Sequence, residues 1–153
     1  MALLNVYFSL GSNLGDREAN IAEALRRMDE AFGRPYTALS TLIETKAMGF
    51  TGGDFLNAAV LYKTVIQPLE ILDKIKEIER SMGRTDPPEY DKEGNRVYHS
   101  RIIDIDILFY GPRRIDTPRL TIPHKGIADR PFVLIPLREI ARPSLRKAFP
   151  EYF

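Results

Sequence analysis

The element order read along the chain is β-α-β-β-α-β. It predicts an α+β fold, a ferredoxin-like antiparallel sheet with two helices packed on one face and long loops between elements. Three observations support this order. Apolar, β-prone runs occur at Leu3–Leu10, Phe55–Thr64 and Ile102–Tyr110. Two helical stripes alternate with them. Glycine and proline punctuate each junction.

The first run is closed by Gly11-Ser12-Asn13. Asp16 then suits a helix N-cap, and Ile21, Leu25, Met28 and Phe32 recur on one helical face before Gly33 and Pro35 end it. Thr37–Glu44 reads as a second strand, and Gly49, Gly52 and Gly53 mark a loop. Pro68 fits the first turn of a second helix, whose stripe is Ile71, Ile75, Ile78 and Met82 and whose end is Gly83. Thr85–Ser100 is long and polar and holds Pro87-Pro88 and Gly94. A loop of that length in a small domain is expected to work as a lid. Pro123–Gly126 reads as a turn, and Arg130–Ile140 as either a short helix or an irregular packed segment.

The 153 residues fit one domain, 1–153, with 44% hydrophobic and 28% charged residues. No run approaches the ~18 apolar residues of a membrane span, and the N-terminus has no basic leader, so no signal peptide is read and a cytoplasmic location is expected; a monomer is expected as well. The absence of cysteine excludes disulfides and thiolate metal sites. Net charge is +1, yet Arg113–Lys147 holds nine Lys/Arg against three Asp/Glu. That segment suits an anionic partner or a solvated basic surface.

The sharpest local signal is Arg101-Ile-Ile-Asp104-Ile-Asp106-Ile-Leu108. Alternate residues of a strand share a face, so the two carboxylates project together while Ile103, Ile105 and Ile107 enter the core. Such a pair is costly without a cation, and hard oxygen ligands suit Mg²⁺. A strand with a wet face is the plainer alternative. Arg101, with Arg84 and Arg96 of the long loop, is placed to meet a phosphate, although each taken singly reads more plainly as a solvated arginine. Leu72, Lys76 and Glu79 form a stripe beside the buried one. Glu79 there is either turned inward or paired with Lys76 at the surface. His124, Lys125 and Arg130 group three cationic side chains. Phe55 and Asn57 share one strand face and suit a flat heterocycle, or a plain core. Gly11–Asp16 lacks the Lys-Ser/Thr of a P-loop and is explained by turn and cap chemistry.

These segments together resemble the 6-hydroxymethyl-7,8-dihydropterin pyrophosphokinase family. The resemblance rests on Gly11–Asp16, Phe55–Ala59, Glu79–Arg84, Arg101–Leu108, and Leu120–His124 with Arg130-Pro131-Phe132, in order along the chain. It implies transfer of pyrophosphate from ATP to the pterin hydroxymethyl group, with AMP released. It also implies two Mg²⁺ ions on Asp104 and Asp106, with Asp104 touching the pterin as well. Arg84, Arg101, His124 and Arg130 would contact the triphosphate. Lys76, Ile107 and Thr121 would line the adenosine site. Phe55 and Phe132 would sandwich the pterin, with Thr45, Met48 and Asn57 on its edges. Tyr98 stands where the family often has Trp, Lys125 where Tyr is common, and Val97 where a second loop arginine is usual.

Two other classes fit poorly. An RNA-binding sheet of this plan needs an aromatic, glycine-containing strand motif, and aspartates there repel a phosphate backbone. A hydrolase using Asp-x-Asp covalently places the motif ahead of a long α/β domain, whereas 47 residues follow Asp106. No nucleic-acid or membrane partner is expected.

Overall fold

A computed structural model describes residues 2–46, 54–83, 89–90, 92–93, 96–97 and 102–153. In chain order the elements are β1 (Leu4–Ser12), α1 (Arg17–Phe32), β2 (Ala38–Leu39), β3 (Ile43–Thr45), β4 (Phe55–Thr64), α2 (Pro68–Ser81), β5 (Glu89–Tyr90), β6 (Arg96–Val97), β7 (Asp104–Tyr110), β8 (Ile115–Asp116), β9 (Thr121–Ile122), α3 (Pro131–Ile140) and α4 (Pro143–Ala148), followed by a short 3₁₀ turn (Pro150–Tyr152).

The main sheet runs β2-β4-β1-β7, with β3 also paired to β4, and each of these pairings is antiparallel. The expected second strand is therefore two short strands separated by residues 40–42. β1 continues two residues beyond the expected run, so Gly11 and Ser12 lie in the sheet. α1 begins as the sequence indicates: the Asp16 carboxylate accepts a hydrogen bond from Ala19 N–H at 3.1 Å. Gly33 closes it in the left-handed conformation. Within the 85–100 segment, Glu89–Tyr90 pairs with Arg96–Val97, a short ladder that the polar sequence did not announce.

One face of the sheet is covered as expected. Val6, Phe8, Leu10, Val60 and Tyr62, together with Ile103, Ile105 and Ile107, pack against the stripes of α1 and α2. The buried Tyr62 hydroxyl is satisfied by Asp29 at 2.6 Å.

The opposite face departs from the expected one-sided arrangement. Tyr7, Leu61, Leu108 and Phe109 bury against Val133, Leu137, Leu145 and Phe149, which belong to α3, α4 and the turn after it. Arg130–Ile140 thus contains a helix despite Pro136. Pro131 occupies its first turn, where no N–H is required, and Val133, Leu137 and Ile140 are buried from it. A register shift between Tyr7 and Phe8 lets Leu108 and Phe109 both enter this second core. The site lies toward the other end of the same face. There the C-terminal half of β1 meets the starts of β4 and β7.

Candidate functional site

Strand register assembles the centre of the site. Gly11 of β1 pairs with Asn57 of β4 on one side and with Asp104 of β7 on the other. In the next row toward the sheet interior, Ser9 lies between Ala59 and Asp106. Asp104 and Asp106 therefore share the face opposite α1 and α2, both half-buried. Asn57 stands two strand spacings from Asp104, about 10 Å across the sheet. Its Nδ2 donates to Thr45 Oγ1 at 2.9 Å. A Cβ on Gly11 would meet Asn57 Oδ1 at 3.1 Å. The glycine thus leaves space between the amide and the carboxylates, a role that turn chemistry alone did not reveal.

α2 contributes from behind β7. Glu79 is buried at 2% exposure. Its Oε2 accepts the N–H of Ile105, the residue between the two aspartates, at 2.9 Å. Its other oxygen faces Lys76 Nζ at 3.4 Å. Of the two sequence alternatives for Glu79 the inward one holds; the surface one does not, because the carboxylate is buried even though it also pairs with Lys76.

Three carboxylates thus crowd one end of β7. Burial first, then the charges of Asp104 and Glu79, push the Asp106 carboxyl well above the usual carboxylate range, against smaller opposing effects from Lys76 and Arg130. A divalent cation bound by oxygen would relieve this crowding, so the donor set fits magnesium. Among the described residues no group of three or more His, Asp or Glu converges as a metal cage. An ion here would need oxygens from a ligand or water.

His124 follows β9. Its Nδ1 accepts from Gly126 N–H at 3.0 Å, so the ring proton of the neutral form sits on Nε2, 3.7 Å from Asp106 Oδ1. Burial and the Arg130 charge hold the His124 pKa below its ordinary value. His124 is consequently a neutral N–H donor near pH 7.

A cleft of about 360 Å³ opens beside the aspartates between α2 and the β8–β9 segment. Lys76, Ile107, Thr121, Asp106 and His124 all line it. Ile107 serves both as core, at 4% exposure, and as cleft floor. Leu72, Leu120 and Arg119 also line the cleft, and Arg119 pairs with Asp73 of α2 at 2.6 Å. Sequence reasoning assigned these three no place in the site. Leu72 was visible in the α2 stripe, whereas Arg119 had no periodic signal.

Phe55 and Thr45 form the last pair of the β3–β4 ladder, and Phe132 lies in the first turn of α3, which packs across β4. All three are half-buried. Arg130 precedes α3 and is also half-buried. Arg84, Arg101 and Met48 lie outside the described residues, as does most of the expected lid.

A carboxylate pair on an antiparallel sheet, beside a cleft edged by cations, is an arrangement that suits metal-assisted phosphate chemistry. Comparison with known proteins places it more narrowly. The 7,8-dihydro-6-hydroxymethylpterin-pyrophosphokinase (HPPK) family matches residues 7–142, and the chain belongs to that family. It is 41% identical over 138 residues to the 2-amino-4-hydroxy-6-hydroxymethyldihydropteridine pyrophosphokinase of Porphyromonas gingivalis, covering 89% of this chain and 90% of that protein. It is 39% identical over 155 residues to the enzyme of the same name from Aquifex aeolicus, covering 98% and 91%. The folate synthesis bifunctional protein of Arabidopsis thaliana is 43% identical over 136 residues, 88% of this chain but 26% of that longer protein. The fold is shared with Plasmodium falciparum HPPK-DHPS solved with pteroate, at a TM-score of 0.66 and 17% identity, over 98% of this chain and 42% of that one.

Proposed function

We infer that this chain transfers pyrophosphate from ATP to the hydroxymethyl group of 6-hydroxymethyl-7,8-dihydropterin, producing AMP and the pterin diphosphate for folate biosynthesis. The observation that carries this reading is the placement of Asp104 and Asp106 between two differently built regions. On one side lies the cleft with Lys76, Ile107 and Thr121. On the other lies the Asn57–Thr45 pair, with Phe55 beside it.

The cleft takes the nucleotide, with the adenosine against Ile107 and Thr121. The other end of the row takes the pterin. Phe55 and Phe132 flank its ring, and Thr45, Met48 and Asn57 hold its edges. Asp104 and Asp106 would hold two magnesium ions, which would neutralise the triphosphate and order its oxygens. The hydroxymethyl oxygen bonds to the β-phosphorus, the bond from that phosphorus to the α,β-bridging oxygen breaks, AMP keeps that oxygen, and the hydroxyl proton is released. His124 donates its Nε2–H to a phosphate oxygen without adding charge. Arg130, with Arg84 and Arg101, supplies positive charge as charge moves onto the leaving AMP. Glu79 acts indirectly, holding the Ile105 backbone and thereby the aspartates on either side. The strand order, with β7-β1-β4-β2 read as the ferredoxin-like plan, brings these parts from distant sequence positions to one sheet end. The chain acts as one domain and as a cytoplasmic monomer.

Chromatography of a reaction containing protein, Mg-ATP and the pterin tests this reading. AMP should appear only when all three are present. Stoichiometric ADP, or AMP formed without pterin, would overturn it.

A further inference from the structure

Arg17 has no part in the chemistry described above, yet it is placed unusually. It is the first residue of α1, directly after the Asp16 cap. A cation at a helix N-terminus opposes the helix dipole, so its side chain is better accommodated elsewhere. It reaches out of the helix to the sheet. One guanidinium nitrogen, Nη1, donates to the backbone carbonyl of Asp54 at 2.9 Å. The other, Nη2, donates to the Glu44 carboxylate. Glu44 is the middle residue of β3, and Asp54 immediately precedes β4. The planar group therefore spans the end of the β3–β4 ladder from which residues 46–54 connect the two strands.

That ladder has three pairs, Ile43 with Asn57, Glu44 with Leu56 and Thr45 with Phe55. Its last pair holds two of the residues assigned to the pterin. Another of them, Asn57, is hydrogen-bonded to Thr45 across the same ladder. A ladder of three pairs joined by a connection of nine residues, 46–54, is only weakly held at that end by the chain itself. A rigid, forked cation fixed to both strands opposes fraying in a way a point charge cannot. We propose that Arg17, through Glu44 and the Asp54 carbonyl, is a positioning residue for the pterin half of the site, setting the separation of Thr45, Phe55 and Asn57 before the substrate arrives. This rests on the pterin assignment made above.

Its specific consequence is a split between the two substrates. The nucleotide cleft lies across β1, between α2 and the β8–β9 segment, and shares no residue with the clamp. Arg17→Ala should raise KM for the pterin about tenfold while KM for ATP stays within about twofold. Arg17→Lys should recover part of the loss, because one ammonium replaces the fork imperfectly. Glu44→Ala breaks the same clamp from its exposed side and should show the same split, so the test survives if Arg17→Ala folds poorly. The double variant Arg17→Ala with Glu44→Ala should be no worse than Arg17→Ala alone.

Asn57→Ala separates the two levels of the argument. If Asn57→Ala raises the pterin KM but neither clamp variant does, the pterin assignment stands and the clamp is refuted. If Asn57→Ala leaves the pterin KM unchanged, the assignment and the clamp fall together. A parallel rise in both KM values, tracking a lower unfolding midpoint, would show Arg17 to be a general structural contact and would also refute the proposal.

Discussion

Removal of the Glu79 carboxylate should loosen β7 where the two aspartates sit. Glu79 is buried, and its Oε2 accepts the Ile105 N–H at 2.9 Å. A hydrogen bond to a charged acceptor contributes about 1.5–3 kcal/mol, and its loss leaves a buried donor unsatisfied. The side chain of Lys76 is about half exposed, so its pairing with Glu79 adds little. Relief of repulsion on Asp106 opposes part of the loss. Glu79→Ala should therefore cost about 2–4 kcal/mol once the small cavity is included. With a urea slope of about 2 kcal/mol/M, the unfolding midpoint falls by about 1–2 M. Glu79→Gln retains an acceptor of the same shape and should stay within about 1 kcal/mol of wild type. Urea titration followed by circular dichroism gives the midpoints, and amide hydrogen exchange reads Ile105 directly. The Ile105 amide should exchange fast in the alanine variant and slowly in the glutamine variant. Two results would refute the reasoning: an alanine variant with an unchanged midpoint, or a glutamine variant as unstable as alanine. The second would mean that charge, not the bond to Ile105, is what Glu79 supplies.

Asp104→Ala and Asp106→Ala should each reduce turnover by about 10²-fold or more, as expected for loss of several kcal/mol of metal-based stabilisation, while circular dichroism shows a folded protein. The folded state holds a proton on Asp106 that the unfolded state has released, so in chelator the protein should lose stability as pH rises from the ordinary aspartate range toward the raised Asp106 value. Asp106→Asn should flatten that slope and be more stable than wild type at pH 8 in the same buffer, as measured by urea midpoints across pH. His124 acts with the opposite sign. Its folded pKa is depressed, so its contribution is present above about pH 6.5 and is lost as pH falls through the depressed value. His124→Gln should remove that acidic loss in the same midpoint series.

Much of the architecture was legible because one signal at a time was unambiguous. α1 and α2 had clean apolar stripes, a cap at Asp16 and a proline at Pro68. β4 emerged with its expected bounds, Phe55–Thr64. The face that was missed had left a trace. β1 and β4 are apolar almost without alternation, which is what strands covered on both faces look like. Arg130–Ile140, which supplies that cover as α3, reads from sequence as either a short helix or an irregular packed segment, so the second layer was not announced. The aspartate pair could be read because strand geometry places alternate residues on one face. The Asn57–Gly11–Asp104 row could not, because cross-strand register is set by a bulge at Tyr7/Phe8 and by pairing between residues tens of positions apart. Arg119 and Arg17 escaped for a related reason: their partners, Asp73 on one hand and Glu44 with Asp54 on the other, are distant in sequence.

The central claim is that the bond broken in ATP lies between the α- and β-phosphorus. ATP labelled separately at its β- and γ-phosphorus, incubated with protein, magnesium and 6-hydroxymethyl-7,8-dihydropterin, tests it most directly. The account predicts both labels in the pterin product and unlabelled AMP. A γ-label on the pterin with the β-label retained in ADP would contradict it.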